Sequence, residues 1–226
     1  MRDFFAYLKN PVLIETTEIF TFKIYLRTIL LCYLLIFLTS FFITILNIIN
    51  LLPDLGDPKI DSLYLFLIVV VIGPLIEEIL FRLNLKMSKR NIALFLAVVT
   101  TAIIKIVFNG SEKNYWFLGA IPLFLIIYYA INRPGFPILK IENFMKSKFK
   151  YIFHLLAFTF GMLHLTNYPS VYWWMVLIIP LLTAPYIAMG YLFGYVRMKY
   201  GFSYGWLMHA TVNFISAVLM MPKHWF

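Results

Sequence analysis

Acidic residues are scarce in this chain of 226 residues: ten Asp and Glu stand against nineteen Lys and Arg, and charged residues of both signs make up only 13% of the sequence. A soluble domain carries roughly 25%, so together with a mean hydropathy of +0.86 this excludes a water-soluble globule. Cysteine is almost missing. Cys32 stands alone, which rules out an internal disulfide and leaves the redox compartment open. Also lacking is the alternation of polar and apolar residues, about ten to a strand, that a membrane β-barrel needs. Disorder is excluded from the opposite side, because disordered chains are polar and poor in aromatics, whereas 19% of this one is Phe, Trp or Tyr.

What is present is long apolar sequence. Seven segments can be drawn, at about 28–50, 62–82, 91–108, 116–131, 149–166, 171–196 and 203–221, most of them near the ~20 residues that cross a bilayer as a helix. The predicted fold is all-α, a polytopic transmembrane bundle of about seven spans (six to eight), forming one integral membrane domain over 1–226. Residues 1–27 read as a cytoplasmic or interfacial arm, and the core that carries the chemistry lies at about 62–221. The fourth segment is short and contains Pro122. Turn residues punctuate the gaps: Pro53, Asp54, Gly56, Asp57 and Pro58, then Asn109 and Gly110, then Arg133, Pro134, Gly135 and Pro137. Counting Lys and Arg in alternate gaps gives fourteen on the side of the amino terminus, four on the other and Arg82 inside a span, which predicts a cytoplasmic amino terminus and, in a bacterium, residence in the plasma (inner) membrane. The net charge of +9 is accounted for by lipid headgroups and topology rather than by nucleic acid.

A charge at the bilayer centre costs at least about 2.5 kcal/mol, so ionisable residues inside spans mark function. The second segment holds three within six positions: Glu77, Glu78 and Arg82. At 100° per residue, Glu78 and Arg82 share a helix face and pair, while Glu77 points away and has no partner close in sequence. Gly73 and Pro74, one turn earlier, are placed to kink or open the helix. In the fifth segment Phe160 and His164 lie four apart on one face, and in the seventh His209 and Asn213 do the same. Each pair alone suits a structural role. Together they are the parts of a hydrolase, in which Glu77 and His164 polarise a water while His209 and Asn213 donate to the oxygen that becomes negative.

These residues form three motifs in order, EEILFR (Glu77 to Arg82), FGMLH (Phe160 to His164) and HATVN (His209 to Asn213). The chain thereby resembles the CPBP intramembrane proteases, the family of CAAX prenyl proteases and bacteriocin-processing enzymes also called Abi proteins, whose signature is EExxxR, FxxxH and HxxxN. The resemblance implies peptide-bond hydrolysis in or at the membrane, on a peptide or membrane-associated protein. It implies catalysis by Glu77, with His164 activating water and His209 and Asn213 stabilising the oxyanion, and it makes Glu78, Arg82 and Phe160 structural. No cofactor is expected. A zinc protease built on Glu77, His164 and His209 is the less favoured variant, since a glutamate-activated water needs no metal and HExxH is absent. The alternative from another class is a non-catalytic binding or immunity protein that uses the same polar residues as a buried network.

Among the remaining features, Gly190 with Gly194 and Gly201 with Gly205 have the spacing that lets helices approach closely. Trp173, Trp174, Trp206 and Trp225 read as anchors at the membrane interface. The basic run Lys140 to Lys150 reads as a loop that meets headgroups, and His154 as interfacial.

Overall fold

The computed structural model describes residues 2–15, 17–53, 60, 62–107, 119–168 and 172–220. Of the features above, Asp54, Gly56, Asp57, Pro58, Asn109, Gly110 and Trp225 lie outside the described residues. The described residues form helices and connecting turns, with no strand. In chain order these are α1 (Arg2–Lys9), α2 (Phe22–Ile48), α3 (Leu63–Leu67), a π-helical turn (Ile68–Ile72), α4 (Gly73–Phe81), a 3-10 turn (Leu83–Leu85), α5 (Lys89–Val107), α6 (Ala120–Asn132), α7 (Ile138–Leu163), 3-10 turns at His164–Asn167 and Trp173–Ile178, α8 (Ile179–Leu182), α9 (Ala184–Tyr200) and α10 (Phe202–Met220).

Three stretches are long and apolar enough to cross a membrane: Phe22–Ile48, Leu63–Leu85 and Trp173–Tyr200, with Ala120–Asn132 a shorter apolar helix. The chain is a helical membrane protein. α2 shows the physical logic most directly. Thr21 caps its start by accepting the Ile24 N–H at 3.3 Å, and its 27 residues rise about 40 Å, more than the ~30 Å hydrocarbon layer. Only Leu31 and Cys32 of it are buried, and exposed apolar side chains such as Phe37, Leu38, Phe41 and Ile48 are left to lipid.

α9 lies at the centre, in contact with α1, α2, α7, α8 and α10. Its glycines let α7 come close: a Cβ on Gly190 would sit 2.7 Å from the Ala157 carbonyl oxygen, and one on Gly194 2.8 Å from the Phe153 ring. The second glycine pair divides its roles. Gly205 faces Glu78 and α9, whereas Gly201, at φ +116°, ends α9 and turns the chain directly into α10. A left-handed backbone there is strained for any residue with a side chain.

Several boundaries differ from the sequence reading. Helix α2 begins at Phe22, ahead of the apolar segment drawn from residue 28, and the chain before it is docked, with Phe4 2% exposed and its ring edge-on to Tyr195 at 5.5 Å. The basic run 140–150 is helix, not loop. α7 begins just after Pro137, and Met145, Phe149, Phe153, Ala157 and Phe160, spaced by three or four, are buried along it; that apolar stripe outweighs the lysines, which occupy other faces. The segment 171–196 is broken by Pro180 and Pro185 at the starts of α8 and α9, since proline suits a first helical turn and not an interior. Trp206 has a role inside the bundle: its indole N–H donates to the Val71 carbonyl at 3.2 Å.

Candidate active site

The three motifs come from α4, the end of α7 and the middle of α10, and the fold brings them together. Glu78 is fully buried, and its Oε1 accepts from Arg82 Nη1 at 3.0 Å. The ion pair read from the i, i+4 spacing is formed. The same oxygen also accepts from His209 Nδ1 at 3.0 Å, so Glu78 ties α4 to α10 as well. Gly205 makes room for this, because a Cβ there would meet Glu78 Oε2 at 3.4 Å.

With Nδ1 committed to Glu78, the ring of His209 turns Nε2 toward Glu77, whose Oε2 lies 3.6 Å away. That distance is too long for a hydrogen bond. Glu77 Oε2 is buried without a hydrogen-bond partner, although the side chain as a whole is 35% exposed. A carboxylate oxygen in that position is set to accept a proton or a water.

His164 stands at the C-cap of α7. Its Nδ1 donates to the Phe160 carbonyl at 2.8 Å, which leaves Nε2 with its lone pair as the free nitrogen. The ring stacks on Tyr186 at 4.1 Å and 19°. Glu77 lies beside His209, and His164 and His209 meet the same phenylalanine ring. Phe160 is the hub between them. Its ring lies edge-on to His164 at 4.8 Å and to His209 at 5.6 Å, and carries the Arg82 guanidinium 3.8 Å from its centroid, a cation–π distance.

Asn213 serves the backbone. Its Nδ2 donates to the Val69 carbonyl at 2.9 Å. The reason lies in Pro74. In the π-helical turn the Gly73 N–H reaches back five residues to Ile68, and the next such bond would run from residue 74 to Val69, but proline has no N–H. Asn213 supplies the missing donor, and Trp206, seven residues earlier on the same face of α10, serves Val71. The widened turn predicted around Gly73 and Pro74 is thus present and clamped, one turn before Glu77.

Two contributors were not singled out by sequence, Arg197 and Tyr186. Arg197, counted there as a loop cation, is 6% exposed and donates from Nε to the Arg82 carbonyl and from Nη2 to the Leu83 carbonyl, each at 3.2 Å, so it caps the C-terminal end of α4. Tyr186 carries no local signal of its role, whereas Gly205 shows the small-residue spacing and makes its close approach beside Glu78. Among the described residues no three His, Cys, Asp or Glu side chains are grouped to hold a metal ion.

No curated protein and no solved structure matches the chain. The sequence model of the type II CAAX prenyl endopeptidase Rce1-like family matches residues 59–215, well over half of the chain, and the match takes in all three motifs and every side chain of the site. This protein belongs to that family, the type II CAAX prenyl endopeptidase Rce1-like proteases, as an integral membrane member.

Proposed function

We propose that the chain is a glutamate-type intramembrane endopeptidase acting on a peptide or membrane-associated protein, with Glu77 as general base. The observation that carries this is Glu77 Oε2, buried and without a hydrogen-bond donor beside His209 Nε2. A water bound there donates one proton toward Glu77 and its second toward the free Nε2 of His164. Its oxygen adds to the scissile carbonyl carbon as Glu77 takes the proton. The carbonyl oxygen becomes the oxyanion of the tetrahedral intermediate, stabilised by the second Nδ2 hydrogen of Asn213 and, when its ring is doubly protonated, by His209 Nε2. The C–N bond then breaks, and Glu77 returns the proton to the leaving nitrogen. Glu78, Arg82 and Phe160 hold the geometry without entering the chemistry.

On the same reading seven helical segments span the bilayer and the amino terminus is cytoplasmic. The test is a library of quenched fluorescent peptides presented to purified wild-type protein, to Glu77→Gln and to chelator-treated wild type. Cleavage abolished by Glu77→Gln and retained under chelation is the expected result. Loss on chelation with recovery on adding zinc overturns the metal-free mechanism, and cleavage undiminished in Glu77→Gln overturns the role of Glu77.

A further inference from the structure

Away from the motifs, α1, the first half of α2 and the end of α9 border a half-open cavity of about 640 Å³, within the size range of ligand sites. Its two ends differ in chemistry. Leu30, Leu31, Leu34 and Leu192 line one end; Arg27, Lys199, Asp3 and Glu18 rim the other. Along α2 the lining runs from Ile24 to Leu34, about 15 Å of helix rise, which is one leaflet of a ~30 Å hydrocarbon layer. An amphiphile from a single leaflet therefore fits its length, with its chains among the leucines and its headgroup at the rim.

The rim also selects the headgroup. Lys199 Nζ lies 3.5 Å from Asp3 Oδ2 and from Glu18 Oε2, and its side chain is only 15% exposed, whereas those of Asp3 and Glu18 are 77% and 62% exposed. The lysine is consumed in holding two carboxylates whose side chains stay largely exposed. Arg27 is exposed and has no ion pair among the described residues. The available rim is thus one free guanidinium beside two tethered carboxylates, complementary to a phosphate next to a primary ammonium. A purely anionic headgroup would meet the carboxylates as repulsion, and a quaternary ammonium has no N–H to give them.

We propose that this cavity binds a zwitterionic diacyl phospholipid with an ethanolamine-type headgroup, its phosphate on Arg27, its ammonium on Asp3 and Glu18, and an acyl chain along Leu30, Leu31, Leu34 and Leu192. The site lies apart from Glu77 and the histidines and stands whether or not the chain cleaves peptides.

Native mass spectrometry of the detergent-purified full chain, offered an equimolar mixture of phosphatidylethanolamine, phosphatidylcholine and phosphatidylglycerol with identical acyl chains, tests it. The expected result is retention of phosphatidylethanolamine about threefold over either competitor, the scale of one exposed charge pair. Arg27→Gln should lower retention of phosphatidylethanolamine by a similar factor. The double change Asp3→Asn with Glu18→Gln should abolish the preference over phosphatidylcholine. Leu34→Trp, which fills the apolar end at a half-exposed position, should lower retention of all three lipids. Equal retention of the three by wild type means adventitious annular lipid only and overturns the proposal. So does a lead for phosphatidylglycerol, or an Arg27→Gln variant indistinguishable from wild type.

Discussion

Asn213 on α10 donates its side-chain N–H to the carbonyl of Val69, 2.9 Å away on the π-helical turn, and so replaces the backbone N–H that Pro74 lacks. The carboxamide therefore has two faces of work in the proposed enzyme: one hydrogen fixes the turn before Glu77, and the other is left for an oxyanion. Asn213→Ala should lower stability by about 1 kcal/mol, the scale of one hydrogen bond, as well as depress turnover. Trp206→Phe, which removes only the bond to Val71, should cost similar stability and far less activity. Thermal unfolding in detergent alongside peptide cleavage separates the two. Equal activity losses in both variants would assign Asn213 to the turn alone.

The adjacent glutamates should respond in opposite ways. Glu77 makes no hydrogen bond through its buried oxygen, so Glu77→Gln should leave the unfolding midpoint close to that of wild type while abolishing cleavage. Glu78 is fully buried against Arg82 and His209. Removing its charge strands a buried guanidinium, a loss on the order of 3–5 kcal/mol, and Glu78→Gln should fail first in a thermal melt. A Glu77→Gln protein as unstable as Glu78→Gln would count against this division.

Arg197 donates to two carbonyls at the end of α4 and is covered by protein. Arg197→Met keeps its bulk and removes both bonds, with an expected destabilisation of about 2–3 kcal/mol. Arg197→Lys, which has one nitrogen in place of the fork, should recover at most part of it. Full stability in Arg197→Met would show that the cap is dispensable.

Packing between α7 and α9 gives a graded test. The Gly190 Cβ position is 2.7 Å from a backbone oxygen that cannot swing away, whereas that of Gly205 has nothing nearer than 3.4 Å. Gly190→Ala should cost about 1–3 kcal/mol through overpacking, and Gly205→Ala clearly less. The reverse order of unfolding midpoints would contradict the close approach of α9 to Ala157.

Phe160 touches Arg82, His164 and His209 with one ring. Phe160→Leu keeps an apolar side chain but loses the cation–π contact and the edge contacts, an expected cost of about 1–2 kcal/mol. Its turnover should fall with little change in KM, because the histidines lose their orientation rather than any contact with substrate. A change in KM alone would place Phe160 at the substrate instead.

Much of this protein is legible along the chain because lipid imposes simple rules. Scarce charge and unbroken apolar segments required a helical membrane protein, and a charged trio inside a span required a site. Helical periodicity alone paired Glu78 with Arg82 and set Glu77 apart, since residues four apart on one helix meet wherever that helix is placed. Gly73 and Pro74 announced an irregular turn, because the missing N–H is a property of the residue itself.

What only the tertiary structure decided is whatever depends on two helices at once. Nothing near His209 in sequence says that it bridges Glu78 and Glu77, or that Asn213 answers Pro74 from 139 positions away. The basic run before His154 was read as loop because its charges were visible locally, while the buried stripe from Met145 to Phe160 has meaning only once α9 is packed against it. Arg197 looked like one more cation among the nineteen until the end of α4 was set beside it. A buried polar group must find its partner somewhere, and in this bundle the partners of His209, Asn213 and Arg197 lie on a different helix, a relation that the order of residues along one helix does not contain.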